Sequence, residues 1–223
     1  MAQPRAAQEK RVDKRAVPRL YLVTPVIEDA AAFAGALRDA LEAAEVAAVL
    51  LRLKAAAERD LINRIKVLAP LVQKKDAALV LDGHPELAAR AGADGAHLTG
   101  LAAFTAAVES LKPAKIAGCG GVSSRDDAMV AGEQGADYVM FGDLAAEHRR
   151  SSFDATVERI EWWAQLFQIP CVGFAANPLE IRPLLAAGAD FVAVGDGLWD
   201  DPRGAAAALA DACRQLTAPE LTK

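Results

Sequence analysis

Three segments that begin Gly-Ala-Asp recur along the chain and constrain its fold more than any other feature. They read GADGAHL from Gly92, GADYVMFG from Gly135 and GADFVAVG from Gly188. Glycine suits the left-handed residue that ends an α-helix, and the apolar run that follows suits a strand buried on both faces. Each segment therefore predicts a joint from a helix into a parallel strand, and their repetition predicts a series of βα units.

The sequence around these joints alternates between two patterns. From Leu20, apolar runs of strand length alternate with amphipathic segments rich in alanine and leucine. The predicted strands are Leu20–Thr24, Ala47–Arg52, Ala78–Leu81, Gly95–Leu98, Lys115–Gly118, Tyr138–Phe141, Cys171–Phe174 and Phe191–Val194. The predicted helices are Asp29–Ala44, Glu58–Lys74, Pro85–Ala91, Leu101–Leu111, Ser124–Gln134, Thr156–Phe167, Pro178–Ala187 and Pro202–Leu216. Pro178 and Pro202 fall in first helical turns, and Ser123 or Ser124 can cap the fifth helix.

Eight strands, each followed by a helix and without hairpin signals between them, predict a single (β/α)8 TIM barrel of the α/β class. The alternative is an open doubly wound sheet, which normally carries a glycine-rich dinucleotide turn after its first strand. Val23-Thr24-Pro25-Val26 at that position form no such turn. We expect the barrel to cover residues 18–217, preceded by a mobile basic tail at residues 1–17 and followed by a C-terminal tail at residues 218–223.

Length and charge narrow the class of protein. The chain has 223 residues and a net charge of −5, which favours one core and argues against a nucleic-acid partner. No apolar stretch is long enough to span a membrane and no signal core is present, so we expect a cytoplasmic protein that does not contact membranes. Three scattered cysteines, Cys119, Cys171 and Cys213, fit reduced thiols.

In a barrel of this kind the functional residues lie at the carboxyl ends of the strands. Arg52 and Lys54 follow the second strand and alternate to the same side, so they suit a diphosphate; the alternative is two solvated charges. Asp82 and His84 follow the third strand. With His97, they are too few to predict a metal site.

At the ends of strands five and eight, the groups expected to contact a ligand are backbone groups of glycine residues rather than cationic side chains. Gly120 lies in a loop that can present N–H groups to an anion, and Cys119 beside it is either a nucleophile or a packed thiol. Gly195 lies where barrels of this kind hold a phosphate, but the neighbouring Asp196 carries a negative charge that opposes one.

These residues resemble the thiamine-phosphate synthase family, a (β/α)8 group that also contains the thiazole tautomerase branch. The resemblance spans residues 19–200. It rests on RLYLVT at Arg19, LLRLK ending at Lys54, AGADGAHL from Ala91, GADYVMFG from Gly135, IPCVGFAAN from Ile169 and AGADFVAVGDGL from Ala187. It implies a transferase of thiamine biosynthesis that joins a pyrimidine diphosphate to a thiazole phosphate with Mg²⁺.

Only part of the catalytic set that the resemblance implies is present. Arg52 and Lys54 match the family's diphosphate-binding Arg and Lys. The other family positions carry different residues. After strand three the family's Asn-Asp-Arg is replaced by Asp82-Gly83-His84, and after strand four its Gly-Gln-x-Asp is replaced by Thr99-Gly100-Leu101-Ala102. The Ser after strand five is replaced by Gly120, the catalytic His of the tautomerase branch by Val122, the Lys-ended loop after strand six by Asp143-Leu144-Ala145-Ala146-Glu147-His148, and the Gly-Gly after strand seven by Ala175-Ala176. Both magnesium aspartates are therefore missing, and the residues present do not support a Mg²⁺ cofactor.

From this pattern we expect a family member whose synthase activity is reduced or lost, with a phosphorylated small molecule as its ligand. The residues expected to contact that ligand are Arg52, Lys54, Asp82, His84, Gly120, Gly195 and Asp196, and no catalytic residue is assigned. Two alternatives are a non-catalytic barrel that binds a phosphorylated heterocycle or a protein, and a different phosphate-sugar enzyme on the same fold. Assembly into a homodimer is compatible with the sequence.

Overall fold

The structure is a computed structural model that describes residues 17–122, 124–142 and 152–217. Its strands are β1 Arg19–Ile27, β2 Val46–Leu53, β3 Ala78–Asp82, β4 Gly95–Thr99, β5 Ile116–Gly120, β6 Tyr138–Phe141, β7 Cys171–Ala175 and β8 Phe191–Val194. Its α-helices are α1 Ala30–Ala43, α2 Glu58–Gln73, α3 Pro85–Ala91, α4 Leu101–Leu111, α5 Arg125–Glu133, α6 Phe153–Leu166, α7 Ile181–Ala186, α8 Asp196–Trp199 and α9 Ala205–Thr217, with a 3₁₀ turn at Pro178–Glu180.

The eight strands form a closed barrel in sequence order, and every neighbouring pair is parallel. β1 pairs with both β2 and β8, which closes the sheet and removes its edges. The (β/α)8 prediction is confirmed, and the open-sheet alternative is wrong. Among the described residues, no helix has the length and apolar character that a membrane crossing requires.

The Gly-Ala-Asp joints end helices as predicted. Gly92, Gly135 and Gly188 adopt φ of 80°, 95° and 96°, a left-handed backbone that glycine reaches without steric cost. The alanine that follows each glycine is buried, and its N–H reaches back to a carbonyl of the preceding helix. This is the bond that closes a Schellman C-cap.

The aspartate of each joint has a role that the sequence pattern did not predict. It forms two hydrogen bonds with one residue of the preceding strand: Asp94 with Leu79, Asp137 with Ala117, and Asp190 with Cys171. In each pair a carboxylate oxygen accepts the strand N–H, at 2.7, 2.8 and 2.8 Å. The aspartate N–H donates to the carbonyl of the same residue, at 2.8, 2.9 and 3.0 Å. The joints thereby fix the start of β4 to β3, of β6 to β5 and of β8 to β7.

Apolar side chains fill two separate layers. The larger layer lies between the strands and the surrounding helices, with Trp163 and Phe104 among its largest fully buried side chains. The smaller layer lies inside the barrel and includes Tyr21, Leu50 and Tyr138. Because successive residues of a strand point to opposite faces, the two layers take alternate residues of each strand.

The carboxyl-terminal quarter differs from the prediction in detail. The predicted helix Pro178–Ala187 is divided into a 3₁₀ turn and α7, and the predicted helix Pro202–Leu216 begins only at Ala205. Pro202 therefore lies in a turn before α9, not in its first helical turn. The four-residue helix α8 was not predicted, because it is too short to show periodicity. Ser124 caps α5 by accepting the Asp127 N–H at 3.0 Å.

Three predictions fall outside the described residues. They are the basic tail over residues 1–16, the loop Asp143–His148 after β6, and the C-terminal tail at 218–223. The described part of the predicted barrel domain otherwise carries all eight strands.

Candidate functional site at the barrel mouth

Arg52 is held at the mouth by both its backbone and its side chain. Its backbone N–H donates to Oγ1 of the buried Thr24 at 3.0 Å, and its guanidinium Nη1 donates to Asp196 Oδ1 at 2.9 Å. The Arg52 side chain is 18% exposed, whereas that of Asp196 is 59% exposed. The sequence predicts that Asp196 opposes a phosphate, and the structure shows that its carboxylate is instead paired with Arg52.

Lys54 lies just beyond the end of β2 and has a different partner. Its Nζ lies 2.6 Å from Glu28 Oε2, and this hydrogen bond lowers the pKa of Glu28. Its backbone carbonyl accepts a hydrogen bond from Arg64 Nη1 at 2.9 Å. The two cations expected to share one anion thus each have their own carboxylate.

Asp82 ends β3 on the face that points into the barrel, in register with His97 on β4. Burial raises the pKa of its carboxyl, and the charges of Arg52 and His84 partly offset that rise. Within the part of the chain that the structure describes, its carboxylate accepts no hydrogen bond. Asp82 is therefore a half-buried acid whose oxygens can meet a ligand or a proton.

His84 lies close enough to affect Asp82 electrostatically but is not hydrogen-bonded to it. It adopts a left-handed backbone with φ 52°, directly after Gly83 with φ 72°. Its Nδ1 lies 3.3 Å from Glu86 Oε1 in the first turn of α3. Asp82 and His84, both expected to contact the ligand, thus lie near each other at the mouth without a hydrogen bond between them.

A buried polar chain runs through the barrel interior, and the sequence indicated only one of its members. His97 Nδ1 lies 2.9 Å from Tyr138 Oη, which in turn lies 2.8 Å from Tyr21 Oη. The His97 ring stacks on the Tyr138 ring, with centroids 5.7 Å apart. Burial lowers the pKa of His97 to about 4, so the imidazole is neutral near pH 7. The sequence offers no signal for this chain of hydrogen-bonded side chains, because its two tyrosines are 117 residues apart.

Gly120 and Cys119 have structural reasons to be small or apolar. A Cβ atom at Gly120 would lie 2.5 Å from His97 Nε2, so only glycine leaves room for the imidazole. Gly120 also accepts the Gly100 N–H at 2.7 Å through its carbonyl. Cys119 is fully buried, and burial raises the pKa of its thiol to about 12. Of the two interpretations of Cys119, the packed thiol is therefore the one the structure favours.

The loop after β8 is fixed by contacts to β1. A Cβ atom at Gly195 would lie 3.1 Å from Val23 Cβ, and Trp199 Nε1 donates to the Val23 carbonyl at 2.7 Å. Trp199 also packs on Phe33, with ring centroids 4.9 Å apart. These contacts hold α8, and with it Asp196, against the barrel mouth.

The side chains at the mouth do not fit a two-aspartate magnesium site. Among residues 17–122, 124–142 and 152–217, no group of three or more His, Cys, Asp or Glu side chains is placed to hold a metal ion. Of the two carboxylates at the mouth, Asp196 is hydrogen-bonded to Arg52, and Gly83 and Ala102 have no side-chain oxygen. Mg²⁺ prefers carboxylates and substrate phosphates as ligands, and here Asp82 is the carboxylate without a cationic hydrogen-bond partner among the described residues.

Comparison with known proteins identifies the family. A family model described as thiamine monophosphate synthase matches residues 20–198. The chain belongs to the thiamine-phosphate synthase family. It is 43% identical over 196 residues to the thiamine-phosphate synthase of Rhodospirillum centenum, a match that covers 86% of this chain and 95% of the relative. It is 36% identical over 201 residues to that of Erythrobacter litoralis, covering 86% and 94%.

Solved structures give the same fold for this thiamine-phosphate synthase family member. The thiamine phosphate pyrophosphorylase of Pyrococcus furiosus superposes with a TM-score of 0.73 at 24% identity, covering 91% of this chain and 96% of that one. A 3-hexulose-6-phosphate synthase superposes with a TM-score of 0.67 at 16% identity, covering 88% and 99%. At these identities the likeness shows the barrel fold alone.

Proposed function

We propose that this chain binds a phosphorylated heterocycle of thiamine biosynthesis at the barrel mouth, and that its synthase turnover is reduced or lost. The observation that carries the proposal is the lone carboxylate Asp82 at the place where the family resemblance implies an Asn-Asp pair and, after the next strand, a second Asp. Arg52 remains as the anchor for an anionic group. Its low exposure and its backbone bond to Thr24 preorganise it for that role.

The reduced turnover follows from the charge that the reaction must neutralise. When a diphosphate departs, negative charge accumulates on its oxygens, and fixed cations and metal ions stabilise it, each typically by several kcal/mol. At this mouth Arg52 and Lys54 are already paired with Asp196 and Glu28. The site therefore has less uncompensated positive charge to offer the leaving group.

A synthase assay tests the turnover. Purified chain is incubated with the pyrimidine diphosphate, the thiazole phosphate and excess Mg²⁺, and thiamine phosphate is quantified; the Rhodospirillum centenum relative is the positive control. We expect turnover far below that of the control. Turnover within about tenfold of it, a barrier difference of roughly 1.4 kcal/mol, would contradict the proposal.

Binding is tested separately, so that a lost reaction is distinguished from a lost site. Inorganic diphosphate is titrated calorimetrically into the wild type, Asp196→Asn and Asp200→Asn. Both substitutions remove one negative charge from the two ends of α8, but only Asp196 is paired with Arg52. An exposed ion pair is worth up to about 1 kcal/mol, so Asp196→Asn should tighten diphosphate binding by about fivefold while Asp200→Asn changes it little.

The outcomes separate the alternative functions. Diphosphate binding without synthase turnover supports a binding barrel. No diphosphate binding in any of the three proteins would remove Arg52 as an anion anchor and favour a protein-interacting barrel. Turnover of a sugar phosphate, with Asp82 required, would instead support a different enzyme on this fold.

A further inference from the structure

A second cavity lies at the opposite end of the barrel from the mouth. Its volume is about 300 Å³, which is at the lower end of the range of small-molecule sites. It is lined by residues from the amino-terminal ends of the strands, including Arg19, Ala48, Ala78, Ile116 and Phe191. The mouth is built from the carboxyl-terminal ends of the same strands, so the floor cavity, as we call this second space, is a separate place in the molecule.

The floor cavity exists because two small residues lie where the barrel would normally hold large ones. Tyr21, Ala48 and Ala78 are in register on β1, β2 and β3. Barrel interiors of this fold are usually filled by bulky branched side chains, and here two of three neighbouring positions carry only a methyl group. Val80 and Val172 complete an apolar wall, and the Tyr21 and Tyr138 side chains also line the space.

The buried polar chain of His97, Tyr138 and Tyr21 has one more hydrogen to donate than it has hydrogen bonds. Tyr21, Tyr138 and the neutral His97 together carry three hydrogens that can be donated, but only two hydrogen bonds join them. In the described part of the chain none of the three side chains has a further hydrogen-bond partner. One buried donor is therefore left over, and an unpaired buried donor is costly.

The position of this unpaired hydrogen depends on which way the hydrogen bonds between His97, Tyr138 and Tyr21 run. If Tyr138 donates to His97 Nδ1, the spare hydrogen is on Nε2, next to Gly120 at the mouth. If His97 Nδ1 donates to Tyr138, and Tyr138 to Tyr21, the spare hydrogen is on the hydroxyl of Tyr21, a residue that lines the floor cavity. An acceptor in the floor cavity would pair that hydrogen and fix the Nδ1–H tautomer of His97.

The charged groups at the rim are compensated by their own partners. Asp137 is bound by Lys112 Nζ at 2.5 Å and by the Ala117 N–H at 2.8 Å, and Arg19 lies 3.7 Å from Glu45. The rim therefore offers little net charge to a ligand. We propose that the floor cavity is a binding site for a neutral, single-ring aromatic molecule that carries one hydrogen-bond acceptor, which the Tyr21 hydroxyl engages.

A matched pair of probes tests this site on the full-length protein. Acetophenone has the required ring and acceptor, and α-methylstyrene has the same shape with a CH₂ group in place of the carbonyl oxygen. The chain contains only two tyrosines, and both line the floor cavity. In protein labelled with ¹³C at tyrosine Cζ, NMR therefore shows two signals, and both come from residues that line this site.

We expect acetophenone to shift both tyrosine signals and to bind about fivefold more tightly than α-methylstyrene, since a net hydrogen bond is worth about that factor. The preference should disappear in Tyr21→Phe, and Ala78→Leu should weaken both probes by filling the space. In histidine-labelled protein the His97 ¹⁵N signals should move toward the Nδ1–H tautomer.

Three results would overturn the proposal. They are unmoved tyrosine signals up to the solubility limit of acetophenone, equal affinity for the two probes in the wild type, and a preference for acetophenone that survives in Tyr21→Phe. If Ala78→Leu does not fold, the Tyr21→Phe comparison still decides. The outcome is independent of synthase activity and of diphosphate binding at the mouth.

Discussion

Acidification should destabilise this protein through one buried histidine. Burial lowers the pKa of His97 to about 4, whereas an unburied imidazole has a pKa of 6.5. Between these values the unfolded chain binds a proton at this position that the folded chain does not, so stability falls as the pH falls through that window. Each pKa unit is worth about 1.4 kcal/mol, so the full loss at His97 is about 3 kcal/mol.

The measurement is urea unfolding at pH 7.5, 6.5, 5.5 and 4.5. We compare the wild type with His97→Gln, which keeps a polar side chain at this position but cannot titrate. The free energy of unfolding of the wild type should fall by about 2.5 kcal/mol more than that of the variant over this range, since the full loss is reached only below about pH 4. Above about pH 7.5 the two pH profiles should run parallel.

Asp82 provides the internal control because its pKa is shifted in the opposite direction to that of His97. Burial raises its pKa in the folded protein, so protonation is favoured by folding and its contribution to stability increases as the pH falls. Asp82→Asn should therefore show a slightly larger loss on acidification than the wild type. If His97→Gln loses as much stability on acidification as the wild type does, the assignment of a neutral, buried His97 is wrong.

Two further predictions concern positions that shape the barrel. A Cβ atom at Gly118 would lie 2.1 Å from Tyr138 Cζ, so Gly118→Ala should destabilise the protein by about 1–3 kcal/mol in urea unfolding. Gly35→Ala, in α1 with nothing within 4 Å, should instead stabilise it by up to about 1 kcal/mol, and the reverse order would contradict the packing. Asp190→Ala removes the acceptor of the Cys171 N–H at 2.8 Å and should cost about 1–3 kcal/mol. Asp190→Asn, which keeps an oxygen there, should cost less in the same urea unfolding measurement, and equal costs would argue against the joint's hydrogen bond.

The sequence predicted the strands well because their signals are local. Tyr138–Phe141 and Phe191–Val194 were predicted with the bounds that the structure has, since a glycine-led joint marks where each begins and an apolar run marks its length. The role of the joint's aspartate was missed, although the aspartate itself was visible. Its partner lies on the preceding strand, 19 residues away in the case of Asp190, and no local pattern marks that partner.

The site was harder to predict than the fold because its geometry depends on distant pairs. The predicted strand ends singled out Arg52, Asp82 and Gly120 as candidate ligand contacts, but the Arg52–Asp196 contact joins residues 144 positions apart. Which carboxylate a guanidinium meets depends on side-chain conformations after the barrel has closed. The interior chain of His97 and two tyrosines was missed for the same reason.

The Arg52–Asp196 pair changes the effect that Asp196 is expected to have on the binding of an anionic ligand. Judged from the sequence, its carboxylate only repels a phosphate. In the structure it accepts a hydrogen bond from Arg52 Nη1, and the two partners differ in exposure: the Arg52 side chain is 18% exposed and that of Asp196 is 59% exposed. The carboxylate can turn into water while the guanidinium stays, and breaking an exposed pair costs up to about 1 kcal/mol. A ligand with two or more negative charges gains more from a fixed Arg than that exchange costs. We therefore expect Asp196 to leave Arg52 when an anionic ligand with two or more negative charges binds.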